Sequence, residues 1–269
     1  VQDGDITIVD SLVIESDTLL QTLGDGDTIS IQGSVLIKSG ATLTLDAANI
    51  HLGSFGGRGD SVVLQAGATL VLGTQHLTVD SDVTLNGGET GQLVLRGDTQ
   101  AGVVSDFALS TLDLETLSGQ MVDATWQSLQ VGVADTVTTV LSPSLWSAQI
   151  GDIQLWGDLV RLGAPDTEAA WRIGSHSSFD AVAGDLELHA DMVSDTGAYI
   201  SLNALAGQVR MAPTSTIVNP GGLVALNAAD GITVGEIDTT FGNAVLSGAV
   251  SLDSAGGTVT LAADHDGVM

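Results

Sequence analysis

The feature that most restricts the fold of this chain is an internal repeat of short alternating segments. Residues 40–45 (GATLTL) return as residues 67–72 (GATLVL), an offset of 27 residues (67 − 40). The next segment keeps this offset, since Ile50 corresponds to Leu77 and Leu52 to Val79. A register that holds over two successive segments is typical of one turn of a three-sided coil.

Alternation of apolar and polar residues predicts a series of four-residue strands. Gly, Asp, Asn and Ser separate the segments, and these residues favour turns. Only residues 104–109 and 166–171 suggest short helices. The clearest predicted strands are residues 28–31, 34–37, 42–45, 49–52, 61–64, 69–72, 76–79 and 82–85.

Strands this short are marginal unless neighbours cover them, so the repeat predicts how they are stacked. In successive coils each strand pairs above and below, and the inward Leu, Ile and Val form a continuous core. We therefore predict an all-β fold, a parallel β-solenoid of about 10–12 coils and roughly 50 Å in length. Right-handed coiling (a right-handed β-helix) is expected by analogy. The alternative is an antiparallel β-sandwich, which favours longer strands and closer hairpins.

Composition divides the chain into three predicted parts. Residues 1–103 and 181–269 carry the regular coils. Residues 104–180 are less regular and hold all four tryptophans. Because the chain begins at Val1 and ends at Met269, we expect it to be part of a longer protein.

The charge of the chain excludes several classes of partner. Six Lys and Arg stand against 33 Asp and Glu, a formal net charge of −27. Such a field repels phosphate backbones and anionic lipids, so no nucleic acid partner is expected. No membrane insertion is expected, because the sequence has no run of 18 apolar residues. The 43% hydrophobic content favours a folded core over a disordered acidic segment.

A second repeat carries a family resemblance. Residues 221–239 (GGLVALNAADGITVGEIDT) and 255–264 (AGGTVTLAAD) share a glycine opening, an alternating strand and a small-residue turn. They resemble the repeats of filamentous-haemagglutinin-like adhesins and other giant bacterial surface proteins, most clearly over residues 184–266. The resemblance implies right-handed β-helices outside the cell that mediate adhesion or build surface layers. It brings no catalytic motif.

Two groups of acidic residues are candidate metal ligands. Alternation places Asp185, Glu187 and His189 on one strand face, where they could bind a metal or share a proton, or form an ordinary solvent face. Asp25 and Asp27, in residues 24–29 (GDGDTI), resemble half of a calcium-binding repeat, or are plain acidic turns. No cofactor is expected, with calcium as the open alternative.

The tryptophans are candidates for stacking on sugar rings. Glycan binding by these side chains competes with a role in the core. A separate tripeptide, residues 58–60 (RGD), matches the integrin-binding motif, but a chance match is the competing reading. The four candidate side chains are Trp126, Trp146, Trp156 and Trp171.

The sequence favours a non-enzymatic function. Cleavage of acidic polysaccharides needs cationic groups, and this chain has six in an acidic field. We expect an extracellular structural or adhesive segment of a surface or secreted protein. Its partners would be neighbouring solenoid segments, identical subunits in fibres, or host or matrix glycans. A glycan-binding module and a polysaccharide-degrading enzyme with paired carboxylates remain alternatives.

Overall fold

The computed structural model describes most of the chain as strands separated by turns. The described residues are 4–54, 59–100, 103–109, 117, 121, 126–140, 150–163, 170–173, 177–194, 197–239, 242–247, 250–252 and 261–262. Every element with described bounds is a strand. Among these residues, no helix has the length and apolarity needed to cross a bilayer.

The chain divides into two compact units. Unit 1 comprises Val1–Ala108 with Leu112–Gly132, and unit 2 comprises Leu109–Thr111 with Val133–Met269.

Unit 1 has three sides of stacked parallel strands, with one strand per coil on each side. With strands numbered along the chain, the first side is β1 (Ile6–Val9), β4 (Thr28–Gln32), β7 (Asn49–Gly53) and β10 (His76–Val79). The second is β2 (Leu12–Ile14), β5 (Val35–Ile37), β8 (Ser61–Leu64) and β11 (Thr84–Asn86). The third is β3 (Thr18–Gln21), β6 (Thr42–Asp46), β9 (Thr69–Gly73), β12 (Gln92–Arg96) and β16 (Trp126–Val131).

An antiparallel pair and a further strand lie along the chain between β12 and β16. These are β13 (Thr99–Gln100) with β14 (Val103–Val104), and β15 (Phe107–Leu109). The helix suggested for residues 104–109 is therefore wrong, because Val104 and Phe107–Leu109 are extended. The helix suggested for residues 166–171 falls largely outside the described residues, and its last two residues lie in a strand.

Unit 2 repeats the three-sided arrangement with two longer strands. Its first side contains β18 (Ile150–Leu162), β20 (Ser178–Leu188), β22 (Tyr199–Ala204), β25 (Leu223–Ala228) and β28 (Asn243–Ser247). The second side consists of the later halves of β18 and β20 together with four more strands. These are β17 (Val137–Val140), β23 (Gln208–Met211), β26 (Gly231–Val234) and β29 (Val250–Leu252). The third is β19 (Ala170–Ile173), β21 (Asp191–Ser194), β24 (Thr216–Val218), β27 (Glu236–Asp238) and β30 (Leu261–Ala262).

The observed register confirms the predicted repeat. Thr42 pairs with Thr69, Ile50 with Leu77, and Leu52 with Val79. The parallel β-solenoid is thus confirmed, with about eight turns in total. The predicted number of 10–12 coils was too high, because the chain length was divided by a repeat length that was assumed to hold along the whole chain. Gln92 of β12 pairs with Ser128 of β16, so the chain takes 36 residues (128 − 92) to return there.

Columns of identical or similar apolar residues form the core. In unit 1, Leu43, Leu70, Leu93 and Leu129 lie on successive coils and are almost fully buried. In unit 2, Phe179, Ile200 and Val224 form an equivalent column. Burial of each such side chain contributes roughly 1.5–3 kcal/mol, which stabilises strands too short to persist alone.

Candidate functional site

The predicted constellation on β20 is a charge ladder across three coils. Arg161, Glu187 and Arg210 are register partners on successive strands. Arg161 Nε donates to Glu187 Oε2 over 2.9 Å, and Arg210 Nη1 lies 3.6 Å from Glu187 Oε1. His189 Nε2 is 3.8 Å from Glu187 Oε2. The ladder thus places cations around this carboxylate.

Asp185 is bonded to a neighbouring backbone instead. Its Oδ1 accepts a hydrogen bond of 2.8 Å from the backbone N–H of Gln208. Glu187 and His189 are therefore brought together, whereas Asp185 joins the next coil. Across the residues that the structure describes, no three His, Asp or Glu side chains are grouped to hold a metal ion.

The acidic turn near residue 25 also forms hydrogen bonds with backbone N–H groups of the same chain. Asp27 Oδ2 accepts hydrogen bonds from the backbone N–H groups of Gly4 (3.0 Å) and Gly24 (2.9 Å). Asp25 is exposed. Asp27 therefore connects two turns on successive coils, and the predicted calcium role of these two residues stays a prediction.

Several aspartates make the same contact from one coil to the next. Asp5 Oδ1 accepts from the N–H of Thr28, and Asp17 Oδ1 from the N–H of Thr42. Asp191 Oδ1 accepts from both the N–H (2.7 Å) and the hydroxyl (2.9 Å) of Thr216. These bonds satisfy backbone donors at turns. The sequence signal was an Asp that precedes its partner by one repeat, 23 to 25 residues.

Two other aspartates have shifted acidity. The hydrogen bond with His51 Nε2, 3.0 Å from Asp80 Oδ1, lowers the pKa of the Asp80 carboxyl. Burial raises the pKa of Asp180, a hydrogen bond from Ser201 opposes this, and the charge of Asp152 adds to it. Sequence reasoning singled out neither residue, because each shift depends on neighbours from other coils.

The four candidate tryptophans fall in different environments. Trp126 is buried in the core of unit 1 at 2% exposure, which does not favour its predicted contact with a glycan. Trp156 is half-buried, and Trp146 lies outside the described residues. Trp171 belongs to β19, but its side chain is outside the description. Glycan binding by the four residues stays a prediction.

A pocket of about 220 Å³ lies beside Trp156. Val182 and Leu205 provide apolar walls, and the side chain of Leu205 is 71% exposed. The exposed residues Ala134, Asp158 and Ala206 also line it. The Nε1 atoms of Trp126 and Trp156 are buried without hydrogen-bond partners.

The RGD tripeptide is only partly described. Asp60 Oδ1 accepts a hydrogen bond of 2.9 Å from Ser34 Oγ on the preceding coil. Arg58 lies outside the described residues, so integrin binding by this motif stays a hypothesis.

The stacked parallel coils place the chain in the class of β-solenoid proteins. No protein-family model, no curated protein and no solved structure matches it. The resemblance to filamentous-haemagglutinin-like adhesins therefore stays an expectation.

Proposed function

We propose that this chain is a structural, extracellular segment of a larger surface or secreted protein, and that it provides a stiff support for display or adhesion. The proposal rests on one observation: acidic side chains at the turns bond to the backbone of adjacent coils. Asp27 accepts one such hydrogen bond from the N–H of Gly4, and Asp191 accepts one from the N–H of Thr216. The hydrogen bonds at the turns and the apolar columns of the core thus both hold successive coils together.

The first coil supports a further part of this proposal, assembly end to end. Strands β1, β2 and β3 each lie at the edge of their sheet. Val9, Val13 and Leu19 on these strands are about half exposed. Open edges pair readily with other strands. A neighbouring solenoid segment or a second copy of this chain is therefore the proposed partner at this end.

The proposal includes the absence of catalysis. Glu187, a carboxylate considered for hydrolysis, contacts Arg161 and Arg210, while Asp185 bonds the backbone of Gln208. These contacts support a structural role for both carboxylates. We expect neither the native chain nor the Glu187→Gln variant to release reducing ends from neutral polysaccharides. If these carboxylates did catalyse hydrolysis, the native chain would release reducing ends and Glu187→Gln would abolish that release.

Electron microscopy of the purified chain, with and without millimolar calcium, tests the structural proposal. We expect linear particles that join end to end. The double variant Val13→Lys, Leu19→Lys should separate them, because it places charges at the open edges. Tyr199→Lys is the control, since Tyr199 is exposed (40%) on β22, a strand that is paired on both sides. Compact particles in every sample would contradict the proposal.

A further inference from the structure

The Trp156 pocket lies at a corner of the solenoid in unit 2. Residues 152–157 of β18 pair with residues 178–183 of β20, and pairing resumes one residue later with Leu159 and Asp185. Asp158 and Gly184 are skipped at this corner. Each long strand therefore bends there from the first side of the unit to the second.

Glycines make this bend possible because the backbones approach closely. A Cβ at Gly184 would lie 2.6 Å from the carbonyl oxygen of Asp158, and one at Gly157 would lie 2.7 Å from that of Thr136. Neither position tolerates a side chain without movement of the backbone. The corner is thus lined by small residues, and the indole of Trp156 stands beside a recess.

We propose that this corner binds one uncharged pyranose ring of a glycan. The inference does not rest on the structural function proposed above. A pyranose has an apolar face of C–H groups and a rim of hydroxyls. Trp156, Val182 and Leu205 offer apolar surface to such a face, and the exposed carboxylate of Asp158 offers an acceptor to the hydroxyls.

The size of the pocket selects a single ring. Its volume of about 220 Å³ lies below the roughly 300–1,000 Å³ of pockets that enclose drug-sized ligands. The rest of a saccharide chain would stay outside, against the polar outer face of β20 and β22. Ser178, Asp180 and Asn203 alternate there with buried residues.

Charge selects a neutral sugar over an acidic one. Asp158 lines the recess, and Asp152 and Asp180 lie on the same side of unit 2. The chain as a whole carries −27. Uronic acids and sulfated sugars would meet like charges, whose repulsion opposes binding.

Isothermal titration calorimetry with linear hexasaccharides of glucose, galactose and mannose tests the site. We expect at least one to bind, and Trp156→Ala to weaken that binding at least about tenfold, because the stacking surface is lost. Hexagalacturonate should bind at least about tenfold more weakly than the neutral ligand at low salt. Failure of all three neutral probes, or tighter binding of the acidic one, would overturn the proposal.

A blocking variant keeps the test decisive if Trp156→Ala fails to fold. Ala206→Phe places a ring at the exposed rim of the pocket and should abolish binding without a change in melting temperature. Ala229→Phe is the matched control, because Ala229 is an exposed alanine in the equivalent turn of the next coil and does not line the pocket. A folded Ala206→Phe protein that binds with unchanged affinity would refute the site.

Discussion

The guanidinium of Arg96 lies 2.8 Å from the carboxylate of Asp46, although a complete coil separates the two residues. Gly73 occupies the coil between them, in register with both. Because Gly73 has no side chain, Arg96 reaches across it. The Asp46 side chain is only 4% exposed and that of Arg96 14%, so three successive coils share one shielded ion pair.

Removal of one partner of this pair should destabilise unit 1 strongly. Asp46→Ala leaves the Arg96 charge largely buried and unpaired, and it also removes the acceptor for the N–H of Thr99. We expect a loss of about 3 kcal/mol in the free energy of unfolding by urea. Asp25→Ala, in an exposed turn, should change it by less than about 0.5 kcal/mol.

Gly73→Ala should weaken the same ion pair, because Gly73 lies on the coil between its two partners. A Cβ there would lie 2.9 Å from Arg96 Nη1 and 3.2 Å from Asp46 Cγ. We expect a loss of about 1–2 kcal/mol, since the flexible Arg96 side chain must move. In an Arg96→Met background the same substitution should cost less, and equal costs in both backgrounds would show that the two sites are not coupled.

Asp191 tests the hydrogen bonds between turns. Asp191→Ala removes the acceptor for both the N–H and the hydroxyl of Thr216, and we expect a loss of about 1–3 kcal/mol in unfolding free energy. The amide of Thr216 should exchange with deuterium faster. Asp191→Asn keeps an oxygen acceptor and should lose less. An unchanged exchange rate in Asp191→Ala would argue against the bond.

Asp180 and Asp80 should respond to pH with opposite signs. The pKa of Asp180 is raised in the fold, so its ionisation lowers stability as pH rises from about 4 through the raised value. Asp180→Asn removes this penalty, and its carbonyl oxygen can still accept from Ser201. We expect a higher melting temperature near neutral pH, and a gain that vanishes below about pH 4.

Asp80 provides the contrasting case. Its pKa is lowered by the hydrogen bond with His51, so its ionised form adds stability above about pH 4 that is lost as pH falls through the lowered value. Asp80→Asn should lower the melting temperature near neutral pH and have little effect in strong acid. The same sign for both variants would contradict these assignments.

Divalent ions should act by screening alone. Asp27, Asp185 and Glu187 already bond backbone N–H groups or arginines. We expect millimolar calcium and magnesium to raise the melting temperature equally, since either ion screens the net charge. A rise specific to calcium that Asp27→Asn removes would instead assign a calcium site to the first turns.

Local sequence patterns were sufficient to predict the coils and their register. The offset between Ile50 and Leu77 could be read directly, because stacking requires residues of one column to recur once per turn. The number of turns could not, since the long return between Gln92 and Ser128 has no repeat signal. The environment of each tryptophan could not be predicted either, because the sequence does not distinguish Trp126 in the core from Trp156 beside an open corner.

The sequence by itself therefore determined the parallel β-solenoid, since alternation and a repeat of constant offset leave few other ways to bury short strands. Only the tertiary structure decided which polar residues meet. Asp46 and Arg96 are 50 residues apart, and Glu187 contacts arginines from two other coils. Such contacts depend on which side chain stands above which, and that follows from the exact length of every turn between them.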